Sequence, residues 1–201
     1  MRITDVSKLK GPLGELNDQL FGENGEERLD ALNLWLKGVV KKVLKFVRSI
    51  SVPAVSKFVA SEAFGDDNSA GIKFYLGGNF KTNFLGKIEE NIPAAELNIH
   101  GLTKSSLDAP IRAELGAEHE ETKLAHLYEL LKKQARGEAG NLLVSGYWNV
   151  FYMKDVAGNL WAVIARWNAG HREWYVSARS VTNPSEWDAG SQVGSRKSVK
   201  V

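Results

Sequence analysis

Apolar and polar residues recur along this chain with two different periods, and the change of period divides it. In the first third the recurrence is helical: Leu9, Leu13, Leu16 and Leu20 fall three and four apart, and after a break at residues 22–25 the spacing returns with Leu29, Leu32, Trp35 and Leu36. Glu26 and Glu27 stand at the start of that second segment and Lys37 at its end, the polarity a helix dipole favours. Val40, Val43, Leu44 and Val47 prolong the apolar side opposite Lys37, Lys41, Lys42, Lys45, Arg48 and Lys57, with no acidic residue anywhere in 31–61. The pattern predicts a helical N-terminal region over 1–64, including a basic amphipathic stretch at 37–57 that Pro53 interrupts. Residues 65–71, acidic and rich in turn formers, read as a linker, and 72–201 as a second domain.

Beyond the linker, 72–76 reads as a strand ended by Gly77 and Gly78. Residues 79–90 read as a short helix with Phe80, Phe84, Leu85 and Ile88 on its apolar side. A period of two is cleanest at 95–102, where Leu97 and Ile99 point one way and Glu96, Asn98 and His100 the other. A helix follows, with Ser106 or Asp108 as its cap, Pro110 near its first turn and Gly116 past its end. A stronger helix starts at Glu121 and Thr122, carries Leu124, Leu127, Leu130 and Leu131, is basic at its close and stops at Gly137.

The remainder is a meander of alternating runs at 148–153, 160–167 and 174–181, separated by turn formers, with a last short strand at 192–196. Trp174, Val176 and Ala178 share one face of the third run and Tyr175, Ser177 and Arg179 the other, so the first set is expected in the core and the second toward solvent. Strand, two helices and an antiparallel meander give an α+β class, with terminal strands expected to pair and close an open edge.

Composition adds limits. With 201 residues, 25% charged and 43% hydrophobic, the chain is long enough to bury a core and ordinary for a globular protein. A net charge of +2 is too small to imply a polyanion partner for the chain as a whole. The absence of cysteine excludes a disulfide framework and thiolate chemistry. No leader pattern opens the sequence and no apolar run approaches the ~20 residues of a membrane span, so a cytoplasmic location is expected.

Candidate chemistry is sparse. His119 and His126 are seven apart, not the four of a metalloprotease helix, and lack a third ligand. Glu118, Glu120 and Glu121 are neighbours suited to a helix start, not carboxylates converging across a cleft. The loops hold too few clustered acids to single out a calcium cage, and whether calcium binds is left open by the sequence. No nucleophile elbow, phosphate-binding loop or dinucleotide fingerprint occurs. The expectation is a protein that is not an enzyme, with no cofactor and no metal. Trp148, Trp161 and Trp174 are read as core and Trp167 and Trp187 as loop anchors, leaving Tyr175 and His171 as the better binding candidates.

The segment Ala165-Arg166-Trp167-Asn168 … Trp174 … Val176 … Ala178-Arg179-Ser180-Val181 … Pro184 … Trp187 … Gln192-Val193-Gly194-Ser195-Arg196 resembles the variable region of target proteins of diversity-generating retroelements. It is also similar to small proteins of candidate-phyla bacteria with the same ending. The element order from residue 95 resembles the C-type-lectin-like fold. In that family an error-prone reverse transcriptase rewrites adenines, scattering asparagine codons over many residues at exposed ligand-binding positions. The resemblance implies Ile164, Asn168, Ala169, Gly170, His171, Tyr175, Ser177, Arg179, Asn183, Ser185, Asp188, Ala189 and Ser191 as such positions. Tryptophan and glutamine cannot be reached from those codons, which suits Trp167, Trp174, Trp187 and Gln192 as fixed scaffold. Glu173 and Glu186 cannot be reached either and are left out. Two features depart from the family pattern: Gly194 stands where a bulky apolar residue is usual, and a basic tail follows from Lys197.

The resemblance therefore implies a non-enzymatic binding protein whose C-terminal face recognises a protein or other macromolecule through Tyr and Arg anchors with adaptable polar neighbours. The N-terminal helices would dock a partner or oligomerise. The alternative is binding of nucleic acid or an anionic surface through the basic stretch 37–57.

Overall fold

The computed structural model describes residues 42–116 and 121–197. The expected helices between Leu9 and Leu36 lie outside them, as does the first part of the basic stretch. From Leu44 onward that stretch is not helical. It forms β1 (Leu44–Val52) and β2 (Val55–Val59), with the Pro53 break between them. The segment's β-branched residues, Val47, Ile50, Val52, Val55 and Val59, suit a pleated surface better than a helix. Long-range pairing with β5 (Ala95–Leu102) satisfies one side of the backbone of β1, which stands at the edge of its sheet.

A one-turn helix α1 (Ala60–Ala63) and a turn at 65–71 lead to β3 (Phe74–Leu76). Within that turn the buried Asn68 side chain donates to the carbonyls of Gly65 and Ile72 and accepts from the Ile72 amide. Phe64 and Ile72 on either side are buried in one core. The helix expected over 79–90 is shorter: α2 covers Gly78–Phe84, and Ile88–Ile92 is strand β4, paired antiparallel with β2. Next come α3 (Asp108–Leu115) and α4 (Leu124–Lys132). The strands β6 (Asn149–Lys154), β7 (Leu160–Asn168), β8 (Glu173–Ser180) and β9 (Gln192–Arg196) complete the chain. The architecture is mixed α+β and mostly sheet.

The main sheet has seven strands in the order β1-β5-β9-β6-β7-β8-β3. The final strand β9 inserts between β5, to which it is antiparallel, and β6, to which it is parallel, so the end of the chain closes the middle of the sheet. Two cores lie on opposite faces. On one, Leu97, Ile99, Phe151, Met153, Val163, Trp174, Val176 and Ala178 cluster with Leu124, Leu127, Leu130 and Leu131 of α4. On the other, Val150, Tyr152, Ala162, Ile164 and Val193 cluster with Ile111 and Leu115 of α3 and with Trp187. Burial on both faces explains the unbroken buried run Asn149 to Met153 in β6.

The predicted side-chain cap of α3 is absent. Its N-cap is Leu107, Ser106 forms a bridge with Trp187, and Asp108 turns inward. Gly116 does end the helix, with φ at 81°.

Candidate functional site

Strand pairing brings together the outward side chains at one end of the sheet. In β8 the even positions Trp174, Val176 and Ala178 are buried, while Tyr175, Ser177 and Arg179 are half-buried on the opposite face. Across from them β7 places Arg166 opposite Tyr175, Ile164 opposite Ser177 and Asn168 opposite Glu173. On the far side β3 runs parallel to β8 and sets Tyr75 beside Tyr175. The α3 helix packs with the residues of β5, β6 and β9 on this face, leaving the β7–β8–β3 end as an open cleft. It has a volume of about 480 Å³ and is lined by Tyr75, Arg166, Asn168, His171, Glu173 and Tyr175.

Two layers support the cleft. The Tyr75 and Tyr175 rings lie 5.6 Å apart with 30° between their planes, forming a tilted aromatic slab of which Tyr75 is 60% exposed. The Arg166 guanidinium sits 4.4 Å from the centre of the Trp148 ring, and Trp148 in turn contacts Tyr175 and Trp187 through ring centroids 6.2 and 6.3 Å away. Glu173 is engaged by Lys73 at 3.6 Å and by the Asn168 amide at 3.5 Å. Below the slab, Asp108 is fully buried and accepts hydrogen bonds from the Tyr152 hydroxyl and the Trp187 indole, each at 2.7 Å, and from Arg179 at 3.3 Å. Burial and the adjacent Asp108 carboxylate push the Tyr152 phenol far above its usual range, so it remains a neutral donor.

The thirteen positions implied by the resemblance fall on β7, β8, the turn between them and the loop from β8 to β9. Asn168, Ala169, Gly170, His171, Tyr175 and Ser177 gather at the cleft and the β7–β8 turn above it, where Arg172 adopts a left-handed φ of 54°. Asn183, Ser185, Asp188 and Ala189 lie on the loop between β8 and β9. Asn183 accepts from the Ser185 amide there, and Ser105 accepts from the Ala189 amide. Two positions are corrected. Ile164 is 7% exposed and belongs to the second core, because α3 and Trp187 cover the middle of this face. Ser191 is fully buried where the loop enters β9, its carbonyl accepting from Leu102 and its amide donating to Asp188. Arg179 points toward the same face but ends on Asp108, its guanidinium 3.2 Å from the centre of the Trp187 ring.

Tyr75, Arg166 and Glu173 were missed as cleft residues. The signal for Arg166 was present, since it shares the parity of Asn168 in an alternating run. Nothing local marks Tyr75, which reaches the cleft only through a parallel pairing. Trp148, read as core, packs against the second core as a half-buried residue and lies under the Arg166 guanidinium.

Among the described residues no cluster of three or more His, Cys, Asp or Glu side chains is placed to hold a metal ion, and no helix is long and apolar enough to cross a membrane. No protein-family model, no curated protein and no solved structure matches this chain.

Proposed function

We propose that this chain is a non-enzymatic binding protein that captures a protein or other macromolecular ligand on the cleft formed by β7, β8 and β3, and that a retroelement diversifies the exposed positions around it. The observation that carries this reading is the parity of β8. Its scaffold side chains Trp174, Val176 and Ala178 are buried, while the variable candidates Tyr175 and Ser177 stand on the opposite face beside the exposed turn bearing Ala169, Gly170 and His171. A rigid sheet below and a turn of small and polar residues above allow substitution at the contact surface without disturbing the core. The aromatic slab of Tyr75 and Tyr175 supplies apolar contact area with few rotatable bonds, a favourable property in an anchor.

The encoding DNA tests the retroelement part directly. The expected finding is a near-copy of the segment specifying 164–191 that differs at adenines, close to a reverse transcriptase gene. A locus with neither would remove that part of the reading. Binding is tested separately by panning the full chain against a random-peptide display library, with Tyr175→Ala as the control. Retention that persists in the variant would place recognition elsewhere on the molecule.

A further inference from the structure

Resting on that reading of the cleft, we infer that the ligand is an acidic peptide segment of a protein partner. A single Asp, Glu or C-terminal carboxylate would engage Arg166 while a neighbouring apolar side chain lies on the Tyr75–Tyr175 slab. Arg166 is the cleft's uncompensated charge. Among the described residues it makes no ion pair, and it lies over the Trp148 ring. Glu173, the acidic group in the same cleft, is already engaged by Lys73 and Asn168. A cation–π contact of this kind leaves guanidinium N–H donors available, and a carboxylate can take two of them in parallel hydrogen bonds.

Charge number decides between anions. A phosphodiester chain is held by several cations in register, and its affinity rises with the number of phosphates neutralised. Here one free guanidinium stands in a cleft that also carries a carboxylate, Glu173, an arrangement unsuited to a polyanion. A peptide carrying one carboxylate asks for no more than is present. The exposed Tyr75 ring, half-buried Tyr175 and the cleft's volume of about 480 Å³ suit an adjoining aromatic or aliphatic side chain.

The test uses the full chain and its Arg166→Glu and Arg166→Gln variants, each checked for an unchanged thermal transition, panned in parallel against a random-peptide display library. The expected result is enrichment of Asp or Glu beside an aromatic or aliphatic residue on the parent chain. Arg166→Gln should bind those peptides about tenfold or more weakly, and Arg166→Glu should enrich Lys or Arg instead. Synthetic peptides with the acidic residue changed to Asn or Gln should lose a comparable factor. Selections of the same charge composition on all three proteins would overturn the inference, as would failure to select any peptide or tighter binding of a single-stranded oligonucleotide. Peptides that require Tyr175 but ignore the charge at 166 would sink this inference alone. Peptides indifferent to both would sink the cleft reading as well.

Discussion

The Arg179 guanidinium reaches the fully buried Asp108 carboxylate at 3.3 Å while lying over the Trp187 ring. The contact joins the outward face of β8 to the first turn of α3, and it makes Arg179 a support of the site more than a contact surface. Asp108 also accepts from Tyr152 and Trp187, so one carboxylate satisfies three donors from three separate parts of the chain.

Removing Asp108 leaves the Arg179 charge, a phenol and an indole N–H without their acceptor. Asp108→Ala is expected to cost about 3–5 kcal/mol in denaturant unfolding, the range for breaking a buried pair. Arg179→Ser should cost less, because part of that side chain reaches solvent. The double variant should fall short of the sum, and strict additivity in the cycle would show the pair to be uncoupled. Substitution at 179 would accordingly be limited by folding.

Gly194 in β9 has a packing reason. Parallel pairing sets it opposite Phe151, and a β-carbon there would lie 2.0 Å from the Phe151 ring. Gly194→Ala is expected to destabilise the fold by about 1–3 kcal/mol through overpacking, with partial relief in combination with Phe151→Leu. A thermal melt of the two variants decides it, and an unaffected Gly194→Ala transition would mean that the β6–β9 contact relaxes freely.

Tyr75 is the more exposed of the two cleft tyrosines. Tyr75→Ala should change stability by no more than about 0.5 kcal/mol, yet weaken a cleft-selected peptide about tenfold or more. Calorimetric unfolding and peptide titration of one preparation read both quantities. A variant that melts early but binds normally would show the slab to be structural.

Acid should weaken the fold in stages. Burial lowers the affinity of the His100 and His126 imidazoles for a proton, although Glu114 and the Val193 backbone favour the charged form of His100 and the Pro93 carbonyl that of His126. The unfolded chain protonates its histidines near the usual value of about 6.5, the folded chain only below it. Their contribution is therefore complete above that value and is lost as pH falls toward the lower folded values. Asp155 acts further down. Burial alone would raise it, but hydrogen bonds from Asn159, Trp161 and Ala157 hold its carboxyl below the usual range, so its contribution disappears as pH falls through that depressed value. Urea midpoints from about pH 8 to 5 should decline, and a His100→Gln, His126→Gln double variant should flatten the decline.

Legibility in the sequence followed the range of the interaction. The leucine face of α4, the strand at 95–102 and the meander of β6 to β8 were readable because each has one periodic signal over its whole length. The stretch after Leu44 was misread because its apolar spacing fits a helix nearly as well as an edge strand, and the pairing partner that decides, β5, is remote in sequence. Ile88 likewise went to a helix because its spacing continues the apolar side of Phe80, Phe84 and Leu85, although the turn at Gly86 separates α2 from β4.

By itself the sequence determined which side chains share a face: Tyr175 and Ser177 away from Trp174 and Val176. Only the tertiary structure decided what covers each face, because a pleat fixes direction along one strand and says nothing of the element laid over it. That is why Ile164 is buried beneath α3 and Trp187 while Arg166, of the same parity, borders an open cleft. It is also why Tyr75 stands beside Tyr175: a parallel register of three residues puts it there, and no local pattern encodes it.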